Sequence, residues 1–466
     1  MYLLEPLFLA SLSLIVGLAH GRDKPLGHEK CLQPLIPEHQ EICPSPLSSR
    51  REKPTLPKII NNNNNSNQKP LQNINRDEFK LDDEDEYQLP PSWQGPAHCV
   101  GEFCMYWNTE IDDGIVLIST ARNAWLTANF PIPRSPQVEP TAFYQKQLPG
   151  KGVGLIANRT IRKGEIIMER VPTLLIQSKP HVTLDPEIRE KLYEAALERL
   201  SDSVAQKFMG QYGETVTKKV DKNAFRMVID GKAKYSDHFS VFPDVSRMNH
   251  DCRPNVHYRL TDLTHTTIAV RDIHPGEELT VSYIYGQHVR AERQKQLKET
   301  WGFDCACSQC TLPELESMAS DARVREIRRL EKEIEDKMAT NNGRDVKPEM
   351  GGRLVKLYLD ERLEAYMAPT YTRAALIYSM FGNEEKALEY AREAVAALDR
   401  ELGSEAGDVV SMREMLDDLK GHWSWRIKVP PPSPSPSAGA AKKEGKSKQK
   451  GTVRRTPGAG KEKPGK

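Results

Sequence analysis

The sequence predicts a mainly β domain that carries a helical insertion and is followed by an α-helical C-terminal domain. Residues 151–178 and 255–286 break into short apolar stretches separated by Gly-containing turns, the punctuation of short strands. Between them, residues 184–228 switch to apolar spacings of three and four, which is helical. From about residue 318 onward the chain keeps that helical spacing.

Taken in order, residues 7–19 form a short apolar run, and Ala19 and Gly21 are set for an A-x-G cleavage. Residues 1–21 therefore have the shape of a secretory signal peptide, with Glu5 standing where Lys or Arg is usual. A mispredicted start or a core helix is the alternative. Residues 22–96 carry 11 prolines, the run Asn61 to Asn65, the acidic stretch Asp82 to Glu86, and only Phe79, Tyr87 and Trp93 as aromatics. Too little apolar surface is available there to offset chain entropy, which predicts a disordered linker. Order is expected from about Ala97, and residues 97–133 form a strand-rich lead-in with strands at Val100 to Trp107 and Gly114 to Ser119.

The main β domain is expected over 134–286, with its helical insertion at about 184–228. Asp185 can cap the first inserted helix, Pro186 suits its first turn, and Ile188, Leu192 and Ala195 share a face. In the helical region 312–425, Val324, Ile327, Leu330, Ile334 and Met338 form one stripe on an otherwise charged helix. Leu388, Ala391, Val395 and Leu398 form another, reached through a Gly382-Asn383 turn. The segment from Ala374 to Gly382, followed by Ala387, Ala391 and Ala394, resembles one tetratricopeptide-type helix pair. That region is therefore either a protein-docking domain or a plain helical bundle. Residues 426–466 carry 12 Lys or Arg against two Glu among Pro, Ser and Gly, and predict a disordered basic tail. The tail either solvates or contacts nucleic acid through counterion release.

Composition narrows the classes further. The 66 basic residues against 65 acidic ones give a net charge of +1, which excludes a uniformly basic nucleic-acid binder or a uniformly acidic chain. No apolar run reaches the ~18 residues that a membrane-spanning helix requires. Eight Cys in 466 residues are too few for a small disulfide scaffold, so their spacing carries the information.

Cys305, Cys307 and Cys310 lie within six residues. That is a poor disulfide framework but a good metal knuckle, because structural zinc takes four ligands in a tetrahedron. A fourth ligand must come from elsewhere, and Cys252 is the best candidate; a redox cluster is the alternative. Cys252 stands in the run Asn249-His250-Asp251-Cys252-Arg253-Pro254-Asn255. Downstream lies Gly276-Glu277-Glu278-Leu279-Thr280-Val281-Ser282-Tyr283, and upstream Gly150-Lys151-Gly152-Val153-Gly154-Leu155. In this order, and followed by the cysteine cluster, these segments resemble the SET-domain protein lysine methyltransferases. They are most similar to the branch with a post-SET zinc segment, here residues 287–311, and a helical C-terminal domain.

The resemblance implies a SET fold with its pseudoknot, S-adenosylmethionine as cofactor and a structural zinc held by Cys252, Cys305, Cys307 and Cys310. It implies that Lys151, Gly152, Val153 and Gly154 let backbone approach the cofactor, and that Asn249 and His250 contact it. Asn223, in Asn223-Ala224-Phe225, would reach the cofactor as well, and Phe303 would close the channel for cofactor and lysine. Tyr283 corresponds to the catalytic tyrosine, which also borders the cofactor. The stretch from Asn249 to Asn255 would thread beneath the strand that carries Tyr283. Three departures stand out: Asp251 replaces the usual Ser, no cysteine-rich MYND finger interrupts the domain, and a signal-like N-terminus sits beside a family that is mostly nuclear or cytoplasmic.

The expected chemistry is in-line transfer of a methyl group from a sulfonium to a neutral lysine amine of a protein substrate, such as a histone. An apolar channel disfavours the ammonium form and lowers the lysine pKa from its ordinary value of about 10.4. Tyr258 and Tyr285 either wall that channel or pack as ordinary strand residues. Two other readings compete. One is a catalytically inactive SET-fold interaction module; the other is a secreted protein whose eight Cys are oxidised, with Cys99 and Cys104 bridging a hairpin.

Overall fold

A computed structural model describes residues 87–131, 141–229, 234–339, 345–404 and 406–429. The signal-like run, most of the proline-rich segment and the basic tail beyond 429 lie outside the described residues. The chain divides into two units, Met1–Lys428 and Val429–Lys466, and every contact given below lies in the first.

In chain order the elements are β1 (Gln94–Val100), β2 (Phe103–Asn108), β3 (Ile115–Ser119), α1 (Ala121–Ala128), β4 (Phe143–Leu148), β5 (Gly152–Ala157), β6 (Ile166–Arg170) and β7 (Leu174–Gln177). The insertion follows as α2 (Ser178–Thr183), α3 (Pro186–Leu197), α4 (Asp202–Met209) and α5 (Val216–Asn223). The chain then returns to strands: β8 (Ala224–Val228), β9 (Asp237–Val241), β10 (Asn249–His250), β11 (Val256–Thr261), β12 (Thr264–Ala269) and β13 (Glu278–Val281). It ends in α6 (Arg290–Trp301), α7 (Glu314–Ala339), α8 (Pro348–Asp360), α9 (Met367–Met380), α10 (Glu384–Glu401) and α11 (Gly407–Asp417).

The strands form three sheets, ordered β1-β2-β3-β7-β9-β8, β10-β13-β5-β4 and β11-β12-β6. β3 is an unbroken apolar run, Ile115 to Ile118, paired on its two edges with β2 and β7 and buried on both faces: Ile115 and Leu117 pack with Trp93 and Phe242, and Val116 and Ile118 with Leu192 and Tyr193. Its pairing with β7 is parallel, and β10 pairs with β13 in parallel. The expected β-rich core with a helical insertion and a helical C-terminal part is thus observed.

Four local expectations are corrected. The stretch Val100 to Trp107 is not one strand but the turn and second arm of a hairpin, with Ala97 opposite Met105. Order begins before Ala97, since Tyr87 packs its ring 6.1 Å from that of Trp125 and Trp93 is buried in the core. The last five residues of the predicted insertion, Ala224–Val228, form β8, because pairing with β9 overrides their local pattern. On α3, Asp185 does cap, its Oδ1 accepting from Glu187 N at 2.9 Å, but Ile188 is 44% exposed. The buried face there is Leu192, Tyr193, Ala196 and Leu197, which pack on β3, β7 and α5 residues such as Val220.

In the helical part the stripe from Val324 to Met338 is buried as expected. On α10 the buried face is Ala387, Ala391, Ala394, Ala397 and Leu398, while Leu388 and Val395 are only partly buried. Small residues there let α9 approach closely, and α11 covers them with Val409, Met412 and Met415. Asn383 caps α10, its Oδ1 accepting from Lys386 N at 3.0 Å. Among the described residues no helix is long and apolar enough to cross a membrane.

Cys99 and Cys104 form a disulfide across the β1–β2 turn. Cys252, Cys305, Cys307 and Cys310 are free thiols, so full oxidation of the cysteines does not hold. Cys31 and Cys43 lie outside the described residues.

Glu401, at the end of α10, is buried and accepts the Ala368 N–H of α9 at 3.1 Å. Burial pushes its carboxyl up to about 8, so the folded state holds a proton that the unfolded chain releases near 4.5. Stability contributed by the neutral form is present below about pH 4.5 and is lost progressively as pH rises toward 8. Glu401→Gln keeps the acceptor and removes the titration. Thermal melts should show the variant gaining on wild type between pH 5 and pH 8, by up to a few kcal/mol, at about 1.4 kcal/mol per unit of pKa difference.

Candidate cofactor and four-cysteine site

The site grows from the seven-residue strap Asn249 to Asn255, which is laid along β13. Asn249 pairs with Thr280 and His250 with Val281, and Asp251 N donates to Val281 O at 3.0 Å. At the far end Asn255 is clamped on the same strand. Its Oδ1 accepts from Thr280 N at 2.9 Å and its Nδ2 donates to Glu278 O at 2.9 Å. Asp251 shapes the bend between, its Oδ1 accepting from Arg253 N at 2.8 Å, a turn an Asp side chain closes readily. Burial pushes the Asp251 carboxyl up to about 6.

Strand β5 lies on the other side of β13, with Leu155 opposite Leu279. This brings the glycine turn to the strap. Asn249 Nδ2 donates to Glu278 Oε1 at 2.8 Å and to Val153 O at 3.4 Å. Lys151 Nζ pairs with the other Glu278 oxygen at 2.8 Å. Gly152 adopts φ +75°, with open space where a Cβ would point. At Gly154 a Cβ would come within 2.5 Å of Leu148, 2.9 Å of Glu278 and 3.0 Å of Asn249, so no side chain fits. Lys151, Gly152, Val153, Gly154 and Asn249 thus form one group around the Glu278 carboxylate.

His250 and Tyr283 form a second group beside it. His250 Nδ1 accepts from Tyr283 N at 3.0 Å, which places the ring proton on Nε2, directed at Cys252 Sγ 3.3 Å away. Burial lowers the imidazole to about 4, so it is neutral at physiological pH. The Tyr283 hydroxyl donates to Met248 O at 2.8 Å, and burial raises its pKa, which keeps it protonated. Trp301 lies 5.2 Å from the Tyr283 ring, and Phe303 lies 6.2 Å from His250. Gly302 terminates α6 between them, its N–H donating to Leu297 O and Lys298 O.

Asn223 stands one step removed. Its amide donates to Tyr212 O at 2.8 Å and Lys219 O at 2.7 Å, and the segment meets the aromatic group through Lys222, whose carbonyl accepts from Trp301 Nε1 at 3.1 Å. Tyr258 stacks 5.0 Å from His265 and lies edge-on to Phe225, while Tyr285 is 37% exposed beside His288 and Tyr366.

The cysteine sulfurs of residues 252, 305, 307 and 310 are buried and lie within 4.8 Å of one another. Cys252 Sγ is 4.0 Å from Cys305 Sγ and 3.5 Å from Cys310 Sγ. A tetrahedron with metal–sulfur bonds of about 2.3 Å has edges of about 3.8 Å, so the spacing fits zinc. Supporting groups are in place too: Gln294 holds both the N–H and the carbonyl of Cys305, at 2.9 and 2.8 Å. Arg293 is buried with Nη2 3.9 Å from Cys310 Sγ.

Two residues of the site, Glu278 and Trp301, have no role that the sequence alone assigns. Glu278 opens β13, and the pairing of β13 with β5 and β10 brings its carboxylate to Asn249 and Lys151. A separate shallow cleft lined by Asp112, Arg170, Lys207 and Asp244 lies outside this site. Its charges are spent on one another, with Arg170–Asp244 at 3.3 Å and Lys207–Asp113 at 3.0 Å.

The Asn255 clamp yields a test. Asn255→Ala leaves the buried Thr280 N–H and Glu278 carbonyl without partners, at about 1–3 kcal/mol for an unsatisfied group. Urea denaturation should show a loss of about 2–4 kcal/mol on that basis, whereas a loss below about 0.5 kcal/mol would mean the strap is held elsewhere.

Comparison with known proteins agrees with this geometry. The SET domain family matches residues 152–284. N-lysine methyltransferase SMYD2-B of Danio rerio is 35% identical over 97 residues, covering 21% of this chain and 22% of the relative. Histone-lysine N-methyltransferase set5 of Schizosaccharomyces pombe is 33% identical over 178 residues, covering 36% of this chain and 50% of the relative. Histone-lysine N-methyltransferase Smyd1 of Mus musculus is 34% identical over 119 residues, covering 23% and 24%. The chain thus spans half or less of the length of each of these relatives. Since the glycine turn, the strap and the strand leading to Tyr283 fall within the matched region, residues 152–284 are a SET domain, and the chain is similar over that part to lysine methyltransferases.

Proposed function

We propose that this protein methylates lysine side chains of other proteins, with S-adenosylmethionine as methyl donor and zinc as a structural ion. One observation carries the reading: a protonated, partly buried Tyr283 hydroxyl stands beside a neutral His250 and an exposed-backbone glycine turn, all strapped to one strand. S-adenosylmethionine supplies an electrophilic methyl group on a sulfonium. The chain fits its amino-acid end, because Lys151 and the Glu278 carboxylate present one positive and one negative charge at the glycine turn. Asn249 fixes that carboxylate, packed against Gly154, and the open space at Gly152 leaves room for a ligand to lie against the backbone.

Tyr283 aligns the incoming amine through its hydroxyl, in the role of an orienting group rather than a base. Trp301 and Phe303 exclude water around it, which favours the neutral amine needed for attack. Positioning of this kind accounts for up to about 7–11 kcal/mol of a barrier. Cys252, Cys305, Cys307 and Cys310 would hold zinc with four thiolates and no open position, so the ion would be structural and would tie the segment after α6 to the strap. Relatives named histone-lysine methyltransferases make histones a fitting substrate class, and a nuclear or cytoplasmic location agrees with that substrate.

Calorimetric titration of S-adenosylmethionine into the zinc-loaded, reduced protein tests the reading. Micromolar binding is expected, with Asn249→Ala abolishing it. Tyr283→Phe should retain cofactor binding and lose about 100-fold or more in turnover on protein substrates, within the range for a positioned catalytic group. No heat from a folded, zinc-loaded sample would point to an interaction module instead. Stripping zinc with a chelator should lower the melting temperature and weaken cofactor binding together, because His250 joins Cys252 to Tyr283.

A further inference from the structure

Glu361 follows α8 in the helical part, yet its buried carboxylate is bonded by groups from three separate segments. Arg253 Nη2 reaches Oε2 at 2.8 Å, and Arg253 Nε donates to the Glu361 carbonyl. Ser320 Oγ donates to Oε2 at 2.8 Å and Gln309 Nε2 donates to it at 3.3 Å, while Arg323 Nε reaches Oε1 at 2.6 Å. Arg253 and Glu361 are both without side-chain exposure.

The partners' places in the chain matter. Arg253 adjoins Cys252 and also donates to the Cys252 carbonyl at 2.7 Å. Gln309 sits between Cys307 and Cys310. One carboxylate from the helical part therefore grips both of the chain segments whose cysteines meet. We propose that Glu361 is a positioning residue for the four-cysteine site, setting the distance between the Cys252 arm and the Cys307–Cys310 arm. Through His250 it also sets the frame of Tyr283. The helical part is then a working piece of the metal centre and not only a docking platform.

The plainer alternative is an ion pair that merely glues two parts of the fold together. A buried pair is weak evidence for net stability, whereas groups supporting metal ligands typically change metal affinity 10–100-fold. The proposal rests on the zinc reading above, and the test separates the two. Full-length, zinc-loaded Glu361→Gln would be mixed with a chromophoric chelator at a temperature well below unfolding. Leu398→Ala, in the α10 core away from Glu361, serves as a variant that lowers the melting temperature without touching the network.

Zinc release at least tenfold faster than wild type in Glu361→Gln, with Leu398→Ala near wild type, supports the proposal. Equal release from Glu361→Gln and wild type, or from both variants, overturns it and leaves the zinc reading standing. Wild type that holds no zinc overturns both. If Glu361→Gln does not fold, Gln309→Ala carries the test by loosening the Cys310 arm alone; several-fold faster release is expected, and unchanged release overturns the proposal.

Discussion

The strap from Asn249 to Asn255, pinned along β13, is the constraint on which the rest of this structure depends. Strands pair to satisfy backbone groups, and here the pairing is parallel and only two residues long, too short to hold by itself. The Asn255 amide completes it by taking the N–H of Thr280 and the carbonyl of Glu278, so the strap is anchored at both ends. Everything with chemical potential hangs from that segment. Asn249 faces the glycine turn, His250 the tyrosine backbone, Cys252 the other cysteines and Arg253 the helical part.

Within this frame charge is managed by distance from water. At the glycine turn the Glu278–Lys151 pair is partly exposed, where an ion pair is worth little and is free to exchange partners with a ligand. Arg253 and Glu361 are fully enclosed, where removing either would strand a charge. His250 avoids the problem by staying neutral, using one ring nitrogen to accept and the other to donate. The exposed pair suits binding, and the enclosed pair suits fixed geometry.

Much of this was legible from residues alone, and the reasons are local. Asp185 before Pro186 predicts a capped helix, because a carboxylate satisfies the first free N–H groups wherever they occur. The stripe Val324 to Met338 predicts a buried face, because a 26-residue charged helix has one apolar side to hide. Cys305, Cys307 and Cys310 predict a metal knuckle that needs a partner, and the fold brings the Cys252 sulfur beside them from 53 residues away. Where local pattern and tertiary pairing competed, pairing prevailed. Ala224–Val228 became a strand beside β9, and Ile188 turned to solvent while Tyr193 took the core.

The sequence by itself determined the order of sheet, insertion and helices, the glycine turn and the tight clustering of Cys305, Cys307 and Cys310. Those features rest on periodicity, backbone freedom and ligand chemistry, which act over a few residues. Only the tertiary structure decided which carboxylate holds Asn249 and Lys151, which ring lies against Tyr283, and that Glu361 grips both cysteine arms. Arg253 and Glu361 are 108 residues apart, and no spacing rule links them. They meet because each is a charge that cannot be buried alone, and the fold encloses both at the same point.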